Sequence, residues 1–159
     1  GILSAAAVAN YATAVQRAMD GCRARGAKRA VALPVSAPFH SSLMAPAAGK
    51  LREALAKLAF NAPRITVIHN FDAKSHGDAQ VIKDALVGQA DHPVRWVECI
   101  QAMAAQGVTH VLECGPGKVL APLAKRISGE LQGLALADRA GIDQGLRTFG
   151  STAGEADHA

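Results

Sequence analysis

The chain has 159 residues, half of them hydrophobic and 19% charged, which suits a folded domain with a real core and argues against disorder. Aromatics supply only 4% while alanine is abundant, so helices packed by small side chains are expected ahead of a β-sandwich. The net charge of +4 is scattered and no basic run is interleaved with aromatics, so nucleic acid is a poor reading and an acidic protein or phosphate-bearing substrate fits better.

In chain order, Ala5 to Ala9 is a small-apolar run read as a short strand. Ala14, Val15, Ala18 and Cys22 recur at helical spacing from Tyr11 to Arg25, and Gly26 is the stop. Arg29 to Val35 reads as a buried strand ending at prolines, which makes the opening segment β-α-β. Ser42 to Phe60 reads as one or two helices with Leu51, Leu55 and Leu58 as an apolar stripe, broken by Asn61-Ala62-Pro63. Ile65 to Ile68, β-branched at nearly every position, is the best strand. A loop at Asp72 to Gly77 leads into a helix from about Asp78 to Gln89, and Asp91-His92-Pro93 interrupts. Val94 to Gln106 is a helix with Trp96, Ile100 and Met103 facing inward, and Gly107 ends it. Val108 to Leu112 is a second strong strand, followed by the Gly115-Pro116-Gly117 turn and a helix from Lys118 to about Ile127. A weak strand at Leu134 to Leu136 precedes a helix near Asp143 to Phe149, and Ser151 to Ala159 reads as a frayed tail. Strands alternating with helices predict an α/β fold with a mainly parallel sheet.

Three cysteines without C-x-x-C spacing and six histidines without an H-x-x-x-H pair point to a reduced, cytoplasmic protein with no metal. No apolar run approaches the roughly 18 residues that a membrane span needs. Gly1-Ile2-Leu3 has no charged leader and reads as an interior start, not a signal peptide.

Two stretches carry chemistry. Leu33 to Ser42 runs a strand into a proline-stiffened turn and delivers His40 just before a helix, at the strand edge where open α/β sheets bind ligands. An ordinary loop histidine remains the plain alternative. Val111 to Leu120 is strand, Gly-Pro-Gly turn and helix, with Lys118 in the helix's first turn. A helix start beside glycines could hold a phosphate. The spacing fits neither G-x-x-x-x-G-K-[ST] nor G-x-G-x-x-G, which favours a tight structural connection.

Taken together, several blocks resemble bacterial malonyl-CoA:acyl-carrier-protein transacylases. They are Gly26 to Ala30, Leu33 to His40, Phe60 to Pro63, Val67 to Asn70, Ile82 to Val87, Pro93 to Trp96, Ala104 to Val108 and Glu113 to Leu120. In order and spacing they cover the chain from about Ala14 to Arg126. The resemblance implies acyl transfer through a seryl ester, in which a serine in a G-H-S-x-G elbow attacks malonyl-CoA and a histidine takes its proton. The malonyl group then passes to the phosphopantetheine thiol of acyl carrier protein. His40 corresponds to that histidine, and Gln89 to a residue whose main-chain carbonyl orients the ring in place of a carboxylate. Phe39 stands where related polyketide acyltransferases carry a bulky aromatic with malonyl and a smaller residue with branched units, the plain alternative being that it packs under the loop. No separate cofactor is implied, since coenzyme A enters as the substrate thioester, and neither a membrane nor nucleic acid is implied as a partner.

The resemblance also implies the fold. Residues 1–35 would be the remnant β-α-β of a ferredoxin-like subdomain. Residues 36–150 would be the carboxy-terminal part of an α/β-hydrolase-like acyltransferase core, and residues 151–159 the tail. No G-x-S-x-G occurs, since Ser4, Ser36, Ser41, Ser42, Ser75, Ser128 and Ser151 all sit in other contexts. The expectation is therefore a portion without the nucleophile, inactive alone. Two alternatives stand: part of a malonyl-selective polyketide synthase acyltransferase domain, and a non-catalytic carrier-binding half-fold.

Overall fold

Alanine decides the first element. In a computed structural model that describes residues 5–32 and 37–149, helix α1 runs Ala5–Ala24 without interruption. The expected strand at Ala5 to Ala9 is therefore helical. Four of those five residues are alanine, the best helix former, and a strand there would need a partner that the run's small side chains could not pack against. Gly26, at φ +89°, closes the helix, with the Ala27 N–H donating to the Cys22 carbonyl at 3.0 Å. Residues 29–32 form no strand, and Leu33 to Val35 lie outside the described residues. The expected opening β-α-β is thus a single helix among the residues described. The chain divides into two compact units, residues 1–38 and 39–159.

In the second unit a 3₁₀ turn at Ser42–Met44 leads into α2, Ala45–Ala56. Helix α3, Ala79–Asp91, starts on Asp78, whose carboxylate accepts from the Gln80 and Val81 N–H groups at 2.8 and 3.0 Å. Ala48 and Leu55 of α2 bury against Val87 of α3, with Leu51, Phe60, Leu86 and Ala90 around them. Leu58 of the expected stripe falls beyond the helix and is exposed.

Between these helices the chain makes a small hairpin. Strand β1, Ile68–His69, pairs antiparallel with β2, Lys74–Ser75. Most of the expected strand Ile65 to Ile68 is missing. Ile65 is 78% exposed, and its partner strand is only two residues long, so the ladder stops at Ile68. β-Branched residues favour strands through the neighbours they pack against, and here those neighbours are few.

Helix α4, Trp96–Ala105, turns Ile100 fully inward, with Trp96 and Met103 beside it as expected. It packs on Ala124 of α5, Leu120–Ile127, and on Leu131. Strand β3, His110–Glu113, pairs parallel with β4, Gln132–Ala135. Gly133 in β4 lies so close to α5 that a Cβ would meet the Ala121 carbonyl oxygen at 2.5 Å. Helix α6, Arg139–Phe149, completes the described residues. The architecture is mixed α/β, with one antiparallel and one parallel two-stranded sheet. The expected mainly parallel sheet is not present among the described residues, because no third strand joins the β3–β4 pair.

Candidate functional site

His40 sits in the turn just before the 3₁₀ segment, at φ +58°. That left-handed conformation is uncommon for a residue with a Cβ and tends to persist where surrounding structure holds it. The imidazole is exposed, and its Nδ1 lies 3.0 Å from the Gln89 main-chain oxygen. A carbonyl oxygen only accepts, so Nδ1 carries the hydrogen and donates. Nε2 is left with its lone pair free to take a proton. The separation expected of such a bond, about 2.7–3.2 Å, is met.

Why this carbonyl is available follows from the sequence. In an α-helix the Gln89 oxygen would accept from the N–H of residue 93, but residue 93 is proline and has none. The last helical bond of α3 runs from the His92 N–H to the Gly88 oxygen at 3.1 Å. Gln89 is therefore left with an acceptor that the helix cannot satisfy. His40 satisfies it from forty-nine residues away.

Behind the pair lies a residue that sequence reasoning missed. His69, only 4% exposed, is the one buried polar side chain among the described residues. Its Nδ1 faces the Gln89 side-chain Nε2 at 3.3 Å. The amide donates, so His69 accepts as a neutral ring. Burial is the main cause that holds His69 below its ordinary pKa of 6.5, with nearby His76 adding to it and Asp72 opposing. His76 Nε2 in turn meets Asp72 Oδ2 at 2.7 Å. Burial pushes the Asp72 carboxyl up, but the hydrogen bonds from His76 and the Lys74 N–H outweigh it and hold the group below the usual range.

Phe39 precedes His40 and is 54% exposed. The Gly115-Pro116-Gly117 turn is a structural connection. The Glu113 carboxylate accepts from the Val119 and Ala121 N–H groups at 3.0 Å each, filling the start of α5. Those bonds, Ala121 first, lower its pKa. Lys118, expected in the helix's first turn, lies before the helix and pairs with Asp138 at 2.7 Å. An anion already occupies the amide groups that a phosphate would need. Among the described residues no cluster of His, Cys, Asp and Glu is arranged to hold a metal, and no helix is long and apolar enough to cross a membrane.

No family model matches the chain. It is 49% identical over 139 residues to the malonyl CoA-acyl carrier protein transacylase of Salmonella typhimurium, a match that spans 87% of this chain and 45% of that protein. Among solved structures, the acyl-carrier-protein S-malonyltransferase of Burkholderia pseudomallei superposes with a TM-score of 0.78 at 56% identity, covering 84% of this chain and 43% of that one. A malonyl-transacylase solved in complex with its type II polyketide acyl carrier protein gives 0.80 at 45% identity, covering 86% and 44%. The chain is strongly homologous to malonyl-CoA:acyl-carrier-protein transacylases over most of its length, and spans a little under half of theirs.

Proposed function

We propose that this chain forms the histidine-bearing, carboxy-terminal portion of a cytoplasmic malonyl-CoA:acyl-carrier-protein transacylase, with His40 as general base and the Gln89 carbonyl as its orienting group. The observation that carries the reading is the 3.0 Å contact from His40 Nδ1 to the Gln89 oxygen, because it leaves Nε2 basic. A serine hydroxyl presented to Nε2 gives up its proton as its oxygen attacks the thioester carbonyl of malonyl-CoA. The tetrahedral adduct collapses, and the departing coenzyme A sulfur takes the proton from Nε2. The carrier's phosphopantetheine thiol then loses its proton to Nε2 and attacks the seryl ester, and the serine recovers the proton as it leaves. Phe39, beside the base, would crowd an α-branched acyl group. The net charge of +4 suits an acidic carrier protein. Residues 1–35 belong, on this reading, to a ferredoxin-like subdomain, and residues 36–150 to the hydrolase-like core.

A chimera tests it. The matched 139 residues of the Salmonella enzyme are replaced by those of this chain, and malonyl transfer from malonyl-CoA to acyl carrier protein is followed by mass spectrometry. The chimera should transfer malonyl, whereas the isolated chain should form no malonyl-serine adduct. A folded but inactive chimera, or a stable adduct on the isolated chain, contradicts the reading. Binding of acyl carrier protein by that inactive chimera would favour the non-catalytic alternative. In the active chimera, Phe39→Ala should raise the ratio of methylmalonyl to malonyl transfer roughly tenfold, the scale of one methyl group in a pocket.

A further inference from the structure

We infer that His69 is a positioning residue, which holds the Gln89 side chain so that the Gln89 main-chain oxygen stays under His40. The inference rests on the proposed role of His40. It deepens that role by adding a third residue, one that touches neither the acyl group nor the base.

The geometry starts with the end of α3. Gln89 lies in the helix's last turn, where helices fray and where Pro93 has removed the donor that would have pinned its carbonyl. Something else has to hold this turn. The Gln89 side chain reaches back into the fold and donates from Nε2 to His69 Nδ1 at 3.3 Å. One residue thus accepts from His40 through its backbone and donates to His69 through its side chain.

His69 is a fixed anchor. Its carbonyl oxygen takes the Ala73 N–H at 2.9 Å and faces the Cys99 thiol of α4 at 3.7 Å. The next residue, Asn70, accepts from the Arg95 N–H at 2.9 Å, and the Arg95 guanidinium donates to the Asp72 carbonyl at 3.2 Å. On the α3 side the Phe71 ring lies against Gly88, so tightly that a Cβ there would meet ring carbons at 2.6 to 2.9 Å. A glycine one residue before Gln89 lets the hairpin come close enough for His69 to reach the amide. The bond needs a ring nitrogen that accepts, and a neutral imidazole in this buried place provides one.

The test reads the tautomer of His40 in this chain, with no acyl transfer involved. Long-range ¹H–¹⁵N correlation spectra of the labelled imidazoles report which ring nitrogen carries the hydrogen. In the unaltered chain the Nδ1–H form of His40 should dominate. His69→Leu and Gln89→Ala should each lower the ratio of Nδ1–H to Nε2–H several-fold, and the double variant no further, because both break one link. His69→Asn should keep the ratio, since its Oδ1 stands at the same reach as Nδ1 and also accepts. A ratio unmoved by Gln89→Ala overturns the inference even if His69→Leu fails to fold. So do single effects that multiply in the double variant. An inactive chimera beside the expected tautomer series would sink the acyl-transfer reading alone.

Discussion

His40 shows how one residue's conformation is settled by partners far away in sequence. A left-handed φ of +58° costs free energy, and the bond to Gln89 helps to hold it. The contact was legible through the family resemblance. Its physical cause was legible from the residues as well: a proline four places after Gln89 leaves a carbonyl without a helical donor. His69 was not legible, because nothing in Val67-Ile68-His69-Asn70 distinguishes a buried acceptor from a solvated loop histidine. Its environment predicts a pH effect on stability. The folded ring binds a proton less readily than the unfolded one, which keeps the ordinary value of 6.5. As pH falls through that value the unfolded chain takes up the proton first. This contribution to stability is therefore whole above pH 6.5 and declines below it. Urea midpoints at pH 7.5 and 5.5 should differ less in His69→Asn than in the unaltered chain; an equal drop in both would contradict the assignment.

At the scale of elements, strong periodicity was read well and isolated β-propensity was not. The helices from Asp78 and Val94 and the strand before the Gly-Pro-Gly turn lie within a few residues of their expected bounds, because caps and apolar faces act locally. Ile65 to Val67 failed, since a strand exists only through the neighbour that completes its ladder. Ala5 to Ala9 failed because small apolar residues carry no period that separates strand from helix. The parallel pair β3–β4 depends on a close approach to α5 at Gly133. Gly133→Ala would press a methyl group onto the Ala121 carbonyl, which is backbone and has little room to yield. Overpacking of this kind should cost about 1–3 kcal/mol, read as a lowered urea midpoint in circular dichroism. An unchanged midpoint would mean that the sheet and helix are less tightly apposed than described.

Over the whole molecule, small sheets are paired with a surface rich in apolar side chains. In residues 39–149 these include Ile65, Val67, Leu112, Val119, Leu120 and Leu146. Both two-stranded sheets leave outer edges unpaired among the described residues. The isolated chain should therefore self-associate and bind a dye for exposed apolar surface, which light scattering and fluorescence would read; a dye-silent monomer would count against it. Composition alone makes the chain an ordinary globular domain, but the family resemblance implies a sheet drawing strands from both halves of the enzyme, and with it an exposed strand edge and an uncovered apolar face. The central claim, that His40 is a base oriented by a main-chain oxygen, is tested most directly by malonyl transfer in the Salmonella chimera. His40→Ala should lose about 10²–10⁴-fold in rate, the usual worth of a positioned base, while Gln89→Ala, which keeps the carbonyl, should lose only a few-fold. A His40→Ala chimera as fast as its parent, or a Gln89→Ala chimera as slow as His40→Ala, would contradict it.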